Sequence, residues 1–355
     1  MANRDYFRWL IAILAVVAAA VVIGAGRAEG AIGECALKTI KKINKHGPYV
    51  GVVVPNSFEM NPLLESSSFV PHPTLPYFDF SGRRFRLGTV GEKKVIIVMT
   101  GLGMLNSGIA TQLLLTLFRV EGIVHYGIAG NANPDFQIGD VTIPQYWAHS
   151  GLWNWQRYGD GPEDELAFES SGDYTRTIGY LKFSDYNNGT QIGNTTETEN
   201  FLNNVWYQPE EVFPVTGTPE VREHAFWVPV DNQYLNLAKT TLEGMKLEKC
   251  VNTTTCLPRD PIVQTVHRGI SANVLVDNGA YRGFLYAKFN ITPIDMETAA
   301  VALVCLQKNK SFIAFRSLSD LAGGGSSISN EAAIFGSLAA QNAVEVAIQF
   351  IKLLS

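Results

Sequence analysis

Two carboxylates, Glu297 and Asp320, interrupt otherwise apolar sequence towards the carboxyl end of the chain. Glu297 opens an Ala/Val/Leu run that predicts a helix over 296–307, and backbone N–H groups at a helix start stabilise an anion. Asp320 follows the apolar residues 311–318, which predict a buried strand. Open α/β sheets bind ligands beyond the carboxyl ends of their strands. Each acid also has a purely structural interpretation, as a helix-terminal acid or as the cap of a turn.

Glycine pairs follow two other apolar runs, and they favour a shared site for both acids. Gly101 and Gly103 end one run, and Gly127 and Gly130 end another. Glycine permits the tight turns with which a loop approaches a ligand closely. Together with the two acids, these predicted turns indicate loops that converge on one cleft.

Alternating strands and helices predict the scaffold that holds these loops. A strand, a helix and a second strand follow one another between 93 and 144, and such a βαβ unit implies a largely parallel sheet. We therefore predict an α/β protein with three layers, α/β/α, around a central mixed, largely parallel sheet. The predicted strands are 49–55, 93–104, two within 121–144, 270–278 and 311–318. The predicted helices are 107–118, 277–289, 296–307 and 329–354, with Asp295 as a possible N-cap of the third.

The sequence between 145 and 265 is less regular. It contains an aromatic stretch and then an acidic region rich in Ser, Asn and Thr. Long irregular segments in a compact domain are usually functional loops or surface insertions. We predict one α/β domain over 31–355, with a large insertion at about 151–265.

Composition and residue spacing argue against two kinds of partner, nucleic acid and metal ions. Of the 355 residues, 46% are hydrophobic, which is enough for a sizeable core. The net charge is −5 and no long basic run occurs, which argues against a nucleic-acid surface. No Cys/His pair has the spacing of metal ligands, so no metal site is predicted.

The first 30 residues have the pattern of a secretory signal peptide. Arg4 and Arg8 precede an apolar stretch from Trp9 to Ile23, and small residues follow as far as Gly30. The alternative is an uncleaved anchor, but a membrane span needs about 20 apolar residues and this stretch is shorter. We predict an extracellular or vacuolar protein whose mature form has no membrane segment.

Sequons and cysteines agree with this prediction. Asn188 and Asn194 lie in a polar stretch typical of an exposed loop, and Asn252 lies within "KCVNTTTCLP". In an oxidising compartment, Cys250 and Cys256 of the same stretch are close enough in sequence to form a local disulfide. The alternative is two free thiols.

Several blocks of sequence resemble the nucleoside phosphorylase and nucleosidase superfamily. "IDMETAAVALVC" followed by "FIAFRSLSDLAGG" is similar to its signature, and the resemblance extends through "GVVVPNSFEMNPLL", "TGLGM", "HYGIAG…IGDVTIP" and "ISANVLVDN". It covers most of residues 48–350. Within that superfamily, "DVTIP…WAHSGLW", "CVNTTTCLPR" and "SDLAGGGSS" resemble the plant bark and vegetative storage proteins.

The resemblance implies a role for each acid. Cleavage of an N-glycosidic bond builds positive charge on the ribose and negative charge on the departing base. Asp320, oriented by Ser319, would protonate the purine at N7. Glu297 would accept hydrogen bonds from the ribose hydroxyls and stabilise the developing cation, with Met296 against the sugar. Glu59, after the first strand, matches the acid that activates water in nucleosidases.

Two departures from the family pattern concern phosphate and the base. His125 and Ile128 occupy positions where phosphorylases use an Arg and a Ser to hold phosphate. Ile128 cannot donate a hydrogen bond, whereas His125 is mostly neutral at pH 7 and gains charge at lower pH. Leu275 replaces an aromatic residue that stacks on the base, which removes about 1 kcal/mol of stacking and predicts altered base specificity. Backbone N–H groups at Gly101–Gly103 and an arginine, for example Arg83 or Arg84, are the remaining candidate phosphate ligands.

Two functional hypotheses follow from the resemblance. The first is an enzyme that cleaves purine nucleosides, including N6-substituted adenine ribosides of the cytokinin type, by phosphorolysis or hydrolysis. It would need no cofactor, and inorganic phosphate would be its co-substrate only in phosphorolysis. The second is a storage glycoprotein that keeps the fold with little or no catalysis. A third, minor possibility is a nucleoside-binding protein without turnover. We expect a homo-oligomer with a small-molecule nucleoside as its partner.

Overall fold

The structure is a computed structural model that describes residues 32–155, 177–180, 204–324 and 331–354, with the backbone alone for 154–155, 177–180 and 204–206. The predicted signal peptide and the sequons at Asn188 and Asn194 lie outside the described residues. The chain divides into one unit up to His46, which contains the helix α1 (Glu34–Lys45), and a second from Gly47 onwards.

Strands and helices alternate in the second unit. The strands are β1 (Tyr49–Val54), β2 (Phe69–Pro71), β3 (Tyr77–Phe80), β4 (Arg83–Val90), β5 (Lys93–Met99), β6 (Val120–Asn131), β7 (Val141–His149), β8 (Trp153–Trp155), β9 (Thr177–Tyr180), β10 (Asn204–Tyr207), β11 (Glu210–Val212), β12 (Glu223–Ala225), β13 (Val228–Pro229), β14 (Val263–Ser271), β15 (Ile291–Asp295) and β16 (Ser311–Leu321). The helices are α2 (Ser57–Glu65), α3 (Met104–Leu117), α4 (Asn232–Thr241), α5 (Gly279–Phe289), α6 (Thr298–Gln307) and α7 (Glu331–Leu353).

The central sheet is mixed and mostly parallel, as the sequence predicts. Its strands follow the order β13-β7-β14-β15-β6-β1-β5-β4-β2, with β16 paired to both β6 and β7 and β3 paired to β4. β1 lies between β5 and β6 and is parallel to both, so the predicted βαβ unit crosses over β1. All six residues of β1 are buried, which explains its unbroken run of apolar residues and glycine.

Part of this sheet closes on itself. β7 pairs with β14, β14 with β15, β15 with β6, β6 with β16, and β16 with β7 again. Helix α7 packs on β16 and β6, and its apolar face forms much of the core. Among the described residues, only α7 has the length and hydropathy of a membrane span, and 67% of its apolar window is buried within the protein.

Two features differ from the sequence prediction. The strand predicted at 270–278 ends at Ser271, and residues 272–278 form a loop instead. Gly127 and Gly130 lie inside β6 rather than in a turn, because β6 continues to Asn131 as the partner of β15 and β16. In contrast, Gly101 and Gly103 do form a turn, with φ values of 84° and 91°.

The interval 151–265 contains two kinds of structure. Strands β8, β9 and β10 form a separate sheet, and β11 pairs with β12. Beyond them, β13 pairs with β7, helix α4 contributes Ala238 to the main core, and β14 joins the central sheet from Val263. The part from Val228 onwards is therefore continuous with the main sheet and core, while the limits of the insertion stay a prediction.

Candidate active site

A cleft of about 230 Å³ lies where β1, β6, β15 and β16 end. Its lining contains four carboxylates and no Lys, Arg or His side chain among the described residues. The cleft brings together most of the site residues that the sequence singles out. The lining residues are Pro55, Asn56, Glu59, Leu102, Ile128, Ala129, Gly130, Val274, Leu275, Val276, Ile294, Asp295, Met296, Glu297, Ser319, Asp320, Ala322 and Ala332.

Glu297 lies immediately before helix α6, and its carboxylate accepts a hydrogen bond from the Gly103 N–H at 3.0 Å. The positive φ of Gly103 directs this N–H towards Glu297, and a side chain there would be strained. Asp295 accepts hydrogen bonds from the N–H groups of Glu297 and Thr298, each at 3.2 Å, so it caps the start of the helix. The turn at Gly101–Gly103 therefore binds the Glu297 carboxylate.

Arg316, in the middle of β16, is the cation that balances this end of the cleft. Its side chain is fully buried, with its Nε 2.6 Å from Asp295 Oδ2. Its terminal nitrogens lie 3.8 Å from Glu297 Oε2 and 3.9 Å from Glu59 Oε1. One buried guanidinium thus faces three carboxylates, and its charge lowers the pKa of Glu59 and Glu297 against the opposing effect of burial.

Gly127 makes this arrangement possible. A Cβ atom at this position would collide with Arg316 Nη1 and Glu59 Oε1. The absence of a side chain, rather than a turn, is therefore what the site requires of Gly127. Gly130 lines the cleft, and a Cβ there would meet Ala322 at 2.9 Å.

His125 lies behind Arg316 and does not line the cleft. Its Nδ1 lies 2.8 Å from the Val53 carbonyl oxygen, and its Nε2 lies 2.5 Å from Arg316 Nη2. This geometry requires a neutral ring that donates through Nδ1 and accepts through Nε2. Burial and the adjacent Arg316 hold the pKa of His125 well below its usual 6.5. His125 therefore stays neutral instead of gaining charge at moderately low pH as expected, and it has no access to phosphate.

Glu59 lies in the first turn of α2 and is 2% exposed. Asn56 caps the helix by accepting from the Glu59 N–H at 3.1 Å, and its side-chain amide donates to Glu59 Oε2 at 2.5 Å. The Ile128 N–H donates to Glu59 Oε1 at 2.7 Å. Burial raises the pKa of Glu59 to about 7, although Arg316 and the Ile128 N–H oppose the shift. A carboxylate with such a pKa is suited to accept a proton near neutral pH.

Asp320 lies at the other end of the cleft, one residue before β16 ends. Ser319 donates a hydrogen bond to Asp320 Oδ1 at 2.6 Å and also contacts the Ala129 carbonyl oxygen at 3.3 Å. Burial raises the pKa of Asp320, and Glu331 and Asp277 add to the rise, while the bond from Ser319 opposes it. The protonated form is thereby favoured, which a proton donor requires.

The remaining predicted residues have different positions around the cleft. Met296 is half-buried and lines the wall beside Glu297. Leu275 also lines the cleft, but it belongs to the loop after β14 and is 77% exposed. Gly101 does not line the cleft, and its N–H donates to the Pro55 carbonyl oxygen at 2.8 Å. The described residues contain no group of three or more His, Cys, Asp or Glu side chains arranged to hold a metal ion.

Sequence reasoning missed Arg316 and its ion pair with Asp295. A signal for Arg316 was present, because a charged residue inside the apolar run "FIAFRSL" requires a buried partner. The partners could not be read from the sequence, since Glu59 and Glu297 lie in other elements. Asp295 was interpreted only as a helix cap, whereas it also pairs with Arg316.

Comparison with known proteins identifies the class that this fold and cleft define. The family model described as "Phosphorylase superfamily" matches residues 49–352, and the chain belongs to that superfamily. Bark storage protein A of Populus deltoides is 31% identical over 307 residues, which cover 85% of this chain and 88% of that protein.

Solved structures share the fold at much lower sequence identity. The 5′-methylthioadenosine/S-adenosylhomocysteine nucleosidase of Helicobacter pylori, solved with butyl-thio-DADMe-Immucillin-A, has a TM-score of 0.56 and 16% identity, covering 87% of this chain and 100% of that chain. Futalosine hydrolase of the same species has a TM-score of 0.55 and 17% identity, covering 86% and 98%. These similarities establish the fold.

Proposed function

We propose that this protein is a purine nucleosidase, which hydrolyses the N-glycosidic bond with water as the nucleophile. The observation that carries the proposal is the charge of the cleft. Four carboxylates line it, and the nearest cation, Arg316, is buried behind Glu59, Asp295 and Glu297. A phosphate dianion would be repelled by these acids, whereas water is uncharged and meets a buried proton acceptor.

The positions corresponding to phosphate ligands support the same proposal. Ile128 presents an apolar side chain and its N–H is bonded to Glu59. The Gly103 N–H is bonded to Glu297, and His125 is buried behind Arg316. Arg83 donates to the Thr100 carbonyl oxygen and to Asn106, and Arg84 pairs with Asp79. These candidate phosphate donors are thus engaged within the protein.

In the proposed reaction, Glu59 accepts a proton from water as the water oxygen bonds to C1′ of the ribose. Glu297 holds the ribose hydroxyls and stabilises the positive charge that develops on the sugar. The bond between C1′ and N9 breaks, and its electron pair moves to the purine. Asp320 donates its proton to N7, so that free ribose and a neutral base leave the cleft.

The proposed substrates are purine nucleosides. The similarity to 5′-methylthioadenosine/S-adenosylhomocysteine nucleosidase adds 5′-methylthioadenosine as a candidate. N6-substituted adenine ribosides of the cytokinin type stay a narrower prediction. Leu275 lines the cleft in place of an aromatic platform, which favours looser discrimination among bases.

A secretory location, N-glycosylation and oligomerisation are further proposals. A disulfide joins Cys250 and Cys256, and such bonds persist in oxidising compartments. Asn252 is exposed within the loop that this disulfide closes, so a glycan there would meet no core residue. A homo-oligomer is proposed from the family resemblance alone.

The test is a product assay with inosine, adenosine, isopentenyladenosine and 5′-methylthioadenosine, with and without phosphate. We expect phosphate-independent release of the base and of the free sugar, which is ribose for the first three substrates and 5-methylthioribose for the last. Glu59→Gln and Asp320→Asn should each lower kcat by about 10²- to 10⁴-fold, which is the usual contribution of an acid or base.

Two other results would refute the proposal. Release of base only with phosphate, together with ribose 1-phosphate, would make the protein a phosphorylase. No release from any substrate would favour the storage function suggested by the similarity to bark storage protein A.

A further inference from the structure

Two sequence blocks that have no role in the proposed reaction meet in the structure. Asp140 belongs to "IGDVTIP", and Arg259 follows the disulfide-closed "CVNTTTCLPR" loop. Arg259 Nη1 lies 2.9 Å from Asp140 Oδ1, and Nη2 lies 2.5 Å from Oδ2. In this bidentate ion pair the Asp140 side chain is fully buried and the Arg259 side chain is 41% exposed.

Asp140 is the centre of a set of hydrogen bonds. Its carboxylate also accepts from the N–H groups of Gln137 and Ile262, each at 2.9 Å. The Gln137 side chain in turn donates to the Arg259 carbonyl oxygen at 2.9 Å. Removal of Arg259 would leave a buried charge with backbone donors alone, so the loop around Asp140 would rearrange.

The disulfide-closed loop holds Arg259 in place. Leu257 is buried, its N–H donates to the Lys249 carbonyl oxygen at 3.0 Å, and its side chain fills the space left open by Gly139. The buried Asn342 of α7 joins the same parts, because its side-chain amide bonds the carbonyl oxygens of Gly139 at 3.2 Å and Glu248 at 3.0 Å.

The backbone beside Asp140 is bonded directly to the strand that carries Asp320. The Gly139 N–H donates to the Leu318 carbonyl oxygen at 2.7 Å, and the Leu318 N–H donates to the Asp140 carbonyl oxygen at 2.9 Å. The register of β16 against β6 shifts immediately after Leu318, before Asp320. Such a bulge re-aims the side chains that follow it.

We propose that Asp140 and Arg259 are positioning residues, which fix Leu318 and thereby aim Ser319 and Asp320 at the leaving base. This inference rests on the proposed function. The pair acts on proton donation, because the other two acids have their own supports. Glu59 is held by α2 and Glu297 by the Gly103 turn, and the Arg316 side chain that faces them is held by Asp295 and His125. A general acid that is misplaced by about 1 Å loses up to about 100-fold in rate.

The test compares two substrates in the full-length protein. Inosine needs a proton on its leaving base, whereas 4-nitrophenyl β-D-ribofuranoside releases a stabilised anion that needs none. Arg259→Ala should lower kcat on inosine by about 10- to 100-fold and leave kcat on the nitrophenyl riboside within about twofold. Arg222→Ala is the control, because Arg222 also forms an ion pair, with Glu211, neither residue lines the cleft, and both activities should be unchanged.

Each outcome decides the inference. Equal loss on both substrates would show a merely structural role, and no loss on inosine would show no role; either result overturns the inference. If Arg259→Ala does not fold, Arg259→Lys retains the charge without the bidentate bond and should show the same substrate-selective loss. A wild-type protein that cleaves neither substrate would refute the proposed function itself, and this inference with it.

Discussion

The cleft has a base end, at Asp320, and a sugar end, at Glu59 and Glu297. The two ends hold their carboxylates in opposite electrostatic settings. At the base end, Asp320 is half-buried, has a neutral hydroxyl as its hydrogen-bond donor and has Glu331 and Asp277 nearby. At the sugar end, Glu59 and Glu297 are almost fully buried beside Arg316. Burial alone raises the pKa of an acid at either end, and what separates the two ends is the cation.

This difference matches the opposite tasks of the acids in the proposed reaction. A proton donor must be protonated before the reaction, and a proton acceptor must be ionised. Asp320 has no cation within its described contacts to favour ionisation. At the other end, Arg316 and the Ile128 N–H keep the pKa of Glu59 at about 7 despite complete burial. The comparison predicts that the sugar end fails without its cation, whereas the base end depends on local positioning.

The largest expected effect comes from Arg316→Met. Three carboxylates would lose their buried counter-ion, and breaking such a pair typically costs about 3–5 kcal/mol of unfolding free energy. Burial already raises the pKa of Glu59 and Glu297, and loss of Arg316 would raise both further, so the variant should lose more stability as pH rises.

Urea unfolding at pH 5.5 and pH 8 measures both effects. Arg222→Ala is the control, since its pair with Glu211 is partly exposed and should contribute about 1 kcal/mol or less. A loss below about 1 kcal/mol in Arg316→Met would contradict the claim that this cation holds the sugar end together.

The next effect is a pH dependence that originates at the sugar end. Glu59 must be ionised to accept a proton, and burial is the main cause that raises its pKa to about 7. The kcat/KM for inosine should therefore fall about tenfold for each pH unit below 7. Glu59→Gln should remove this acid limb, whereas Asp320→Asn should retain it. An acid limb that persists in Glu59→Gln would assign the titration to another group.

The smallest effect concerns the wall beside the base. Leu275→Phe would restore an aromatic surface at an exposed position that lines the cleft. Stacking worth about 1 kcal/mol should lower KM for purine nucleosides by about fivefold, with kcat nearly unchanged. Val70→Phe, at an exposed position on β2, should leave KM unchanged. An unchanged KM in Leu275→Phe would indicate that the base does not contact this loop.

The sequence predicted the parts of the site that depend on local pattern. The strand before Asp320 and the helix after Glu297 were predicted from runs of apolar residues, and the structure has both. The turn at Gly101–Gly103 also follows from local pattern, because two glycines one residue apart after a strand favour a turn with positive φ. Gly127 was wrongly predicted to form a turn. A glycine is required there because the Arg316 side chain, which comes from β16, occupies the space that a Cβ atom would fill.

The sequence by itself determined the family, the alternation of strands and helices, and two acids of the site, one at the start of a helix and one at the end of a strand. Tertiary structure alone decided that five strands close into a ring, that Arg316 lies among Glu59, Asp295 and Glu297, and that Asp140 meets Arg259. Strand register, burial and the pKa shift of a carboxyl group depend on groups distant in sequence, so they are decided only when the chain folds.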